Sequence, residues 1–170
     1  MAKRKTAKKK TTRKKIVFER RWHVPSVGRP ARKKYITGTQ ARLIVATRLG
    51  RKLALNFGMY VADGKYFCTP LSEARDIIRR SAVDRKRWVS ERFDCDDFAH
   101  VLKAHFAEAA YKNGNRRASH CFGIVWGSLP GPHAINWMIN SDGVLRFVEP
   151  QNDRIFLPRA TDRNIYFMLV

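Results

Sequence analysis

The sequence predicts an α+β domain in which helices come first and an antiparallel sheet follows. Two observations carry that prediction. Up to Gly114 the apolar residues recur with a period near 3.6, and after it they alternate with a period of 2. A third sets the boundary. Residues 1–34 hold 15 Lys/Arg against one acid, Glu19, of 35 and 14 in the whole chain. We therefore read 1–34 as a basic arm and extended lead-in, and 35–170 as the folded domain.

The elements follow in order. Residues 1–15 carry Lys3, Arg4, Lys5, Lys8, Lys9, Lys10, Arg13, Lys14 and Lys15 with no acid. Such a segment cannot bury enough apolar surface to fold, and its natural partner is a polyanion: nucleic acid first, an anionic membrane second. Residues 39–55 read as a helix, with Ala41, Leu43, Ile44, Thr47, Leu49 and Leu53 on one face, Thr39 as cap and Gly50 as a weak point. Gly58 and Asp63-Gly64 punctuate short β pieces. Residues 72–81 are predicted helical after Pro70, with Glu73 in the first turn.

The best-marked helix follows Phe93. Asp94 is a good N-cap and Asp97 completes a partial capping box, while Phe98, Val101, Leu102, Phe106 and Ala109 line one face. Asn113-Gly114-Asn115 ends it. Strands are then expected over 120–126, 133–140, 144–149, 155–157 and 165–170.

The three cysteines show no CxxC spacing, and no run is long and apolar enough to lead or span a membrane. The expected setting is the cytoplasm or a nucleic-acid assembly such as a virion, with no signal peptide.

Three residues form a candidate catalytic constellation. Cys95 sits in the first turn of a helix, where unpaired N–H groups and the macrodipole favour a thiolate. Ser141-Asp142-Gly143 is a turn, and folding there sets His133 opposite Glu149, give or take one position. Both then share a face with Ile135, Trp137, Ile139, Leu145 and Phe147. A carboxylate on one ring nitrogen fixes the tautomer, so the other can take a proton from a thiol. Asp94, Asp96 and Asp97 crowd Cys95, and a Ca²⁺ ion held by Asp96 and Asp97 would relieve that repulsion. Their alternative role is only to cap the helix. Trp88 is a candidate site neighbour, with plain packing as the alternative, and Gln40 a candidate oxyanion donor. His100 and His105 read as structural, and Cys68 and Cys121 have no evident base.

Helix-borne Cys95, strand-borne His133 and an acid on the next strand resemble the papain-like and transglutaminase-like cysteine enzymes. Trp88, Asp94-Cys95-Asp96-Asp97, His133-Ala134-Ile135-Asn136 and Glu149-Pro150-Gln151 resemble more closely the papain-like C-terminal domains of the fairy-ring mushroom agglutinin family. The resemblance spans residues 83–157. It implies a papain-like fold, a Cys95–His133–Glu149 triad supported by Trp88 and Gln151, and a protease dependent on calcium or a similar divalent ion. The lectin module of the fungal protein is missing here and a basic arm takes its place.

The expected function is therefore a cysteine peptidase acting on a protein or peptide substrate, with the arm bound to nucleic acid. Two alternatives stand beside it. One is a nucleic-acid-associated structural or inhibitory protein, of viral type, with the site idle. The other is a transglutaminase or deamidase using the same triad. No organic cofactor is implied.

Overall fold

The computed structural model describes residues 34–50, 58–129, 131–159, 162 and 164–170. The basic arm, with every Lys and Arg named from it, and positions 51–55 of the first expected helix lie outside the described residues.

The elements in chain order are β1 (Tyr35–Thr37), α1 (Gly38–Leu49), β2 (Met59–Tyr60), β3 (Lys65–Phe67), α2 (Leu71–Ser81), a 3₁₀ turn (Val83–Arg85) and α3 (Cys95–Lys112). The strands β4 (Phe122–Ser128), β5 (Pro132–Ile139), β6 (Leu145–Glu149), β7 (Arg154–Phe156) and β8 (Ile165–Leu169) complete the chain. Six strands make one sheet in the order β2-β8-β4-β5-β6-β7, and β1 pairs with β3 in a separate ribbon. The α+β class and the five C-terminal strands agree with the sequence reading. One feature of the sheet differs: β2 joins β8 in parallel.

The helix ends carry the expected chemistry with small shifts. Thr37, not Thr39, caps α1: its hydroxyl accepts the Gln40 N–H, and Gln40 Oε1 accepts the Thr37 N–H at 2.9 Å. Asp94 caps α3, and its own N–H donates to Asp97 Oδ2 at 3.1 Å. Gly50, the weak point of the reading, stands at the C-cap of α1 with φ 110°.

The sheet has a core on each side. Toward α1, Ile135, Trp137, Ile139, Leu145 and Phe147 pack with Ala41, Val45 and Leu49. Toward α3, Met138, Val148 and Phe122 pack with Phe98, Leu102 and Phe106. This is the period-2 alternation of β5 and β6 resolved into two layers. Trp137 is fully buried, and its indole N–H donates to the carbonyls of Ile124 and Leu169, both at 3.1 Å. Only glycine fits beside it: a Cβ on Gly123 would lie 1.8 Å from the Leu169 carbonyl oxygen and 2.6 Å from the Trp137 indole nitrogen. Asn136 ties α3 to the sheet, its amide donating to the carbonyls of Ala99 at 2.9 Å and Gly123 at 3.1 Å.

Candidate functional site

The first turn of α3 and the first residues of β5 lie at the same end of the molecule. Asn136 on β5 is bonded to Ala99, and further along both elements Met138 packs in one cluster with Leu102 and Phe106. The two therefore run alongside each other from a shared start. Cys95 opens α3 and His133 stands at the second position of β5.

His133 Nε2 and Glu149 Oε2 are 2.8 Å apart, with side chains 22% and 15% exposed. The register that makes this contact differs from the expected one. The pairing of β5 with β6 ends at Asn136 opposite Val148. Continued, it sets Glu149 opposite Ile135 and leaves it the diagonal neighbour of His133. Diagonal pairs on one face are within reach of long side chains. The cause is the centre of the turn: the Asn140 N–H donates to the Val144 carbonyl at 3.3 Å, which centres the hairpin on Asp142, whereas His133 opposite Glu149 would centre it on Ser141. Glu149 Oε1 also accepts the Gln151 N–H at 3.3 Å, so both carboxylate oxygens are engaged.

Alternation assigns His133 and Glu149 to the set of Ile135, Trp137 and Phe147 that faces α1, whereas α3 packs on the other set. Among the described residues no hydrogen bond joins Cys95 to His133. Gln40 Oε1 accepts the Thr37 N–H in the cap of α1, on the α1 side of the sheet.

The acids around Cys95 are crowded. Ligand atoms of Asp94, Cys95 and Asp96 all lie within 4.8 Å of one another. Asp96 is held above the usual carboxylate range, first by its hydrogen bond to Asp94 and then by burial, while the same bond holds Asp94 below it. Asp97 spends Oδ2 on the helix cap. The sequence already places Asp94 among the acids crowding Cys95, with only Asp96 and Asp97 as candidate ligands.

Trp88 stands at the edge of this end. Val89 and Phe93 form an antiparallel bridge, with both N–H groups donating across it at 2.9 Å. Continued by one residue, it sets Trp88 across from Asp94. Its ring is 51% exposed, so plain core packing does not account for it. Gln151 lies in the β6–β7 turn beside Glu149. His100 donates its Nδ1–H to the Asp96 carbonyl at 2.8 Å. Cys68 and Cys121 are buried, and burial, with Cys68 nearby, pushes the Cys121 thiol far up.

The chain belongs to the agglutinin C-terminal family: a family model with the description Agglutinin C-terminal matches residues 66–155. Among solved structures it is similar to a Polyporus squamosus lectin bound to the human-type influenza-binding epitope Neu5Acα2-6Galβ1-4GlcNAc. That likeness has 30% identity and a TM-score of 0.69, and covers 82% of this chain and 50% of that one. A second, described as a PSL1a-E64 complex, has 31% identity and a TM-score of 0.69, covering 82% and 52%. The chain thus spans about half the length of each. No curated protein matches it.

These matches correct several expectations. The agglutinin link stands, but relatives named as agglutinin and lectins point away from a cysteine peptidase, a transglutaminase or deamidase, and a viral or nucleic-acid-associated protein. The expected protein substrate and nucleic acid are likewise contradicted, since the matched lectin is one bound to a glycan epitope. The physical reason for the misreading is that a polar His–Glu pair beside a capped cysteine is good ligand-binding chemistry of any kind. On location, no described helix is long and apolar enough to cross a membrane.

Proposed function

We propose that this chain is a carbohydrate-binding module of agglutinin type, built on a papain-like scaffold. The observation that carries the reading is its 30% identity, over 82% of its length, to a lectin bound to a sialylated trisaccharide. The polar end formed by the start of α3 and of β5 is the candidate site. His133 and Glu149 offer a donor and acceptors to sugar hydroxyls, and Trp88 and Gln151 flank them.

A divalent cation belongs to the same reading. Asp96 and Asp97, joined by Asp94, are the ligands we propose for Ca²⁺. Carboxylate oxygens gathered this closely fit a hard divalent cation, whereas the Cys95 thiol is a poor calcium ligand. Bound there, the ion would neutralise the cluster and supply coordination sites for hydroxyl oxygens.

The test is a glycan-array experiment on the whole chain, with and without Ca²⁺. Retention of galactose-containing glycans supports the reading, and a blank array overturns it. For the ion, Ca²⁺ is expected to raise the melting temperature of the wild type and not that of Asp96→Asn. Equal shifts, or none, would remove calcium from the account.

A further inference from the structure

We propose that Cys68 and Cys121 are a cross-linking pair: in an oxidising setting they close a disulfide that staples the β1–β3 ribbon to the main sheet. One bridge sets the geometry. The Phe67 N–H donates to the Ser119 carbonyl at 2.7 Å and the Cys121 N–H donates to the Phe67 carbonyl at 2.8 Å, which aligns Phe67 with His120 in parallel. The next aligned pair is Cys68 with Cys121. Aligned residues of parallel strands point to one face, and successive residues alternate. Both halves of that rule are visible here. The Phe67 and His120 rings lie together, with centres 5.7 Å apart, and the hydroxyl of Thr69, two residues on, meets the same His120 ring at 2.6 Å. Cys68 and Cys121 therefore share the opposite face, and both are buried in the core that packs on α1.

The spacing suits the bond. Paired strands lie about 4.8 Å apart, inside the roughly 4.4–6.8 Å that a disulfide needs between its Cα atoms. Cys68 is also near enough to push the Cys121 thiol up, as the second cause after burial. Both stand as thiols in the structure. Cys95 belongs to a different cluster, with Asp94 and Asp96 at the first turn of α3.

The step balances with glutathione disulfide as oxidant. One cysteine attacks it as a thiolate and releases one glutathione. The second cysteine attacks the protein sulfur of that mixed disulfide and releases the other. Two thiol protons and two electrons leave the chain, one S–S bond forms, and one glutathione disulfide becomes two glutathione thiols. Burial keeps the Cys121 thiol protonated, so the exchange belongs to the folding chain, before the strands seal. The ring it closes runs from 68 to 121 and contains α2 and α3 whole. Its ends flank β3 and β4, which belong to two separate sheets.

The test refolds the whole chain from denaturant in reduced and in oxidised glutathione buffers. Each sample is then alkylated in denaturant, and every cysteine is mapped by peptide mass. The expected result is a Cys68–Cys121 cross-linked peptide pair in the oxidised buffer, with Cys95 outside it. The oxidised chain should melt about 5 °C or more above the reduced one. Cys68→Ala and Cys121→Ala should each lose that difference, and Cys95→Ala should keep it. The mapping on the wild type needs no variant to fold. Cys68 and Cys121 recovered as separate thiols, as separate glutathione adducts or bridged to Cys95 overturn the proposal. A mapped Cys68–Cys121 bond that leaves the melting temperature unchanged or lower overturns the staple.

Discussion

Two histidines held by oxygen partners sit at opposite ends of this sheet, and their surroundings make them different objects. His133 meets a carboxylate where both side chains keep some contact with solvent. His120 is buried, with Nδ1 2.6 Å from the Thr69 hydroxyl and its ring edge-on to Phe67 and Phe106. Arg116 donates to the His120 ring at 3.3 Å, is paired with Glu73, and lies over Phe67. Burial first, and the Arg116 charge second, push the His120 pKa down to about 4. The lesson is that a polar contact becomes a structural element when it is sealed and faces a cation. At an open edge beside a carboxylate it stays available to a ligand.

The largest effect that would sharpen the contrast is acid sensitivity. His120 has a depressed pKa in the fold, so the unfolded chain takes up its proton first as pH falls. Its stabilising contribution is whole above about 6.5 and is lost progressively down to about 4. The loss should reach roughly 3 kcal/mol, from about 2.5 pKa units. Denaturant titrations at pH 7 and pH 4 should show it, and His120→Gln should lack that increment. If the variant keeps the full pH dependence, His120 is not the sealed group described.

Next comes the joint between α3 and the sheet. Asn136→Leu leaves the carbonyls of Ala99 and Gly123 without their donor, and should cost about 2 kcal/mol in equilibrium unfolding. Asp94→Ala removes the α3 cap and should cost about 1 kcal/mol.

The smallest effect is expected at the open pair. Glu149→Gln should change stability by less than about 1 kcal/mol, since the contact is partly solvated, yet it should reduce glycan binding. A stability loss as large as that of the His120 variant would erase the distinction between the two ends.

Much of this was legible in the residues themselves. The capped helix at Asp94 and the alternation of Ile135, Trp137, Leu145 and Phe147 reported real faces, because packing follows period directly. The nearness of His133 to Glu149 was legible from the Ser141-Asp142-Gly143 turn, though the hairpin is centred on Asp142 and not on Ser141. The parallel joining of β2 to β8 was not legible, since two residues carry no period. Nor was the alignment of Cys68 with Cys121, which comes from two separate stretches and exists only through the Phe67–His120 bridge. Function was the least legible. Cys95, His133 and Glu149 were read as a reaction when the residue types name only a polar site.

The most direct measurement is the binding of whole chain to a glycan array, run beside a protein-cleavage assay on wild type and Cys95→Ala. Retention of galactose-containing glycans by both proteins, with no cleavage, is the predicted result. A blank array with cleavage that vanishes in Cys95→Ala would contradict the account at its centre.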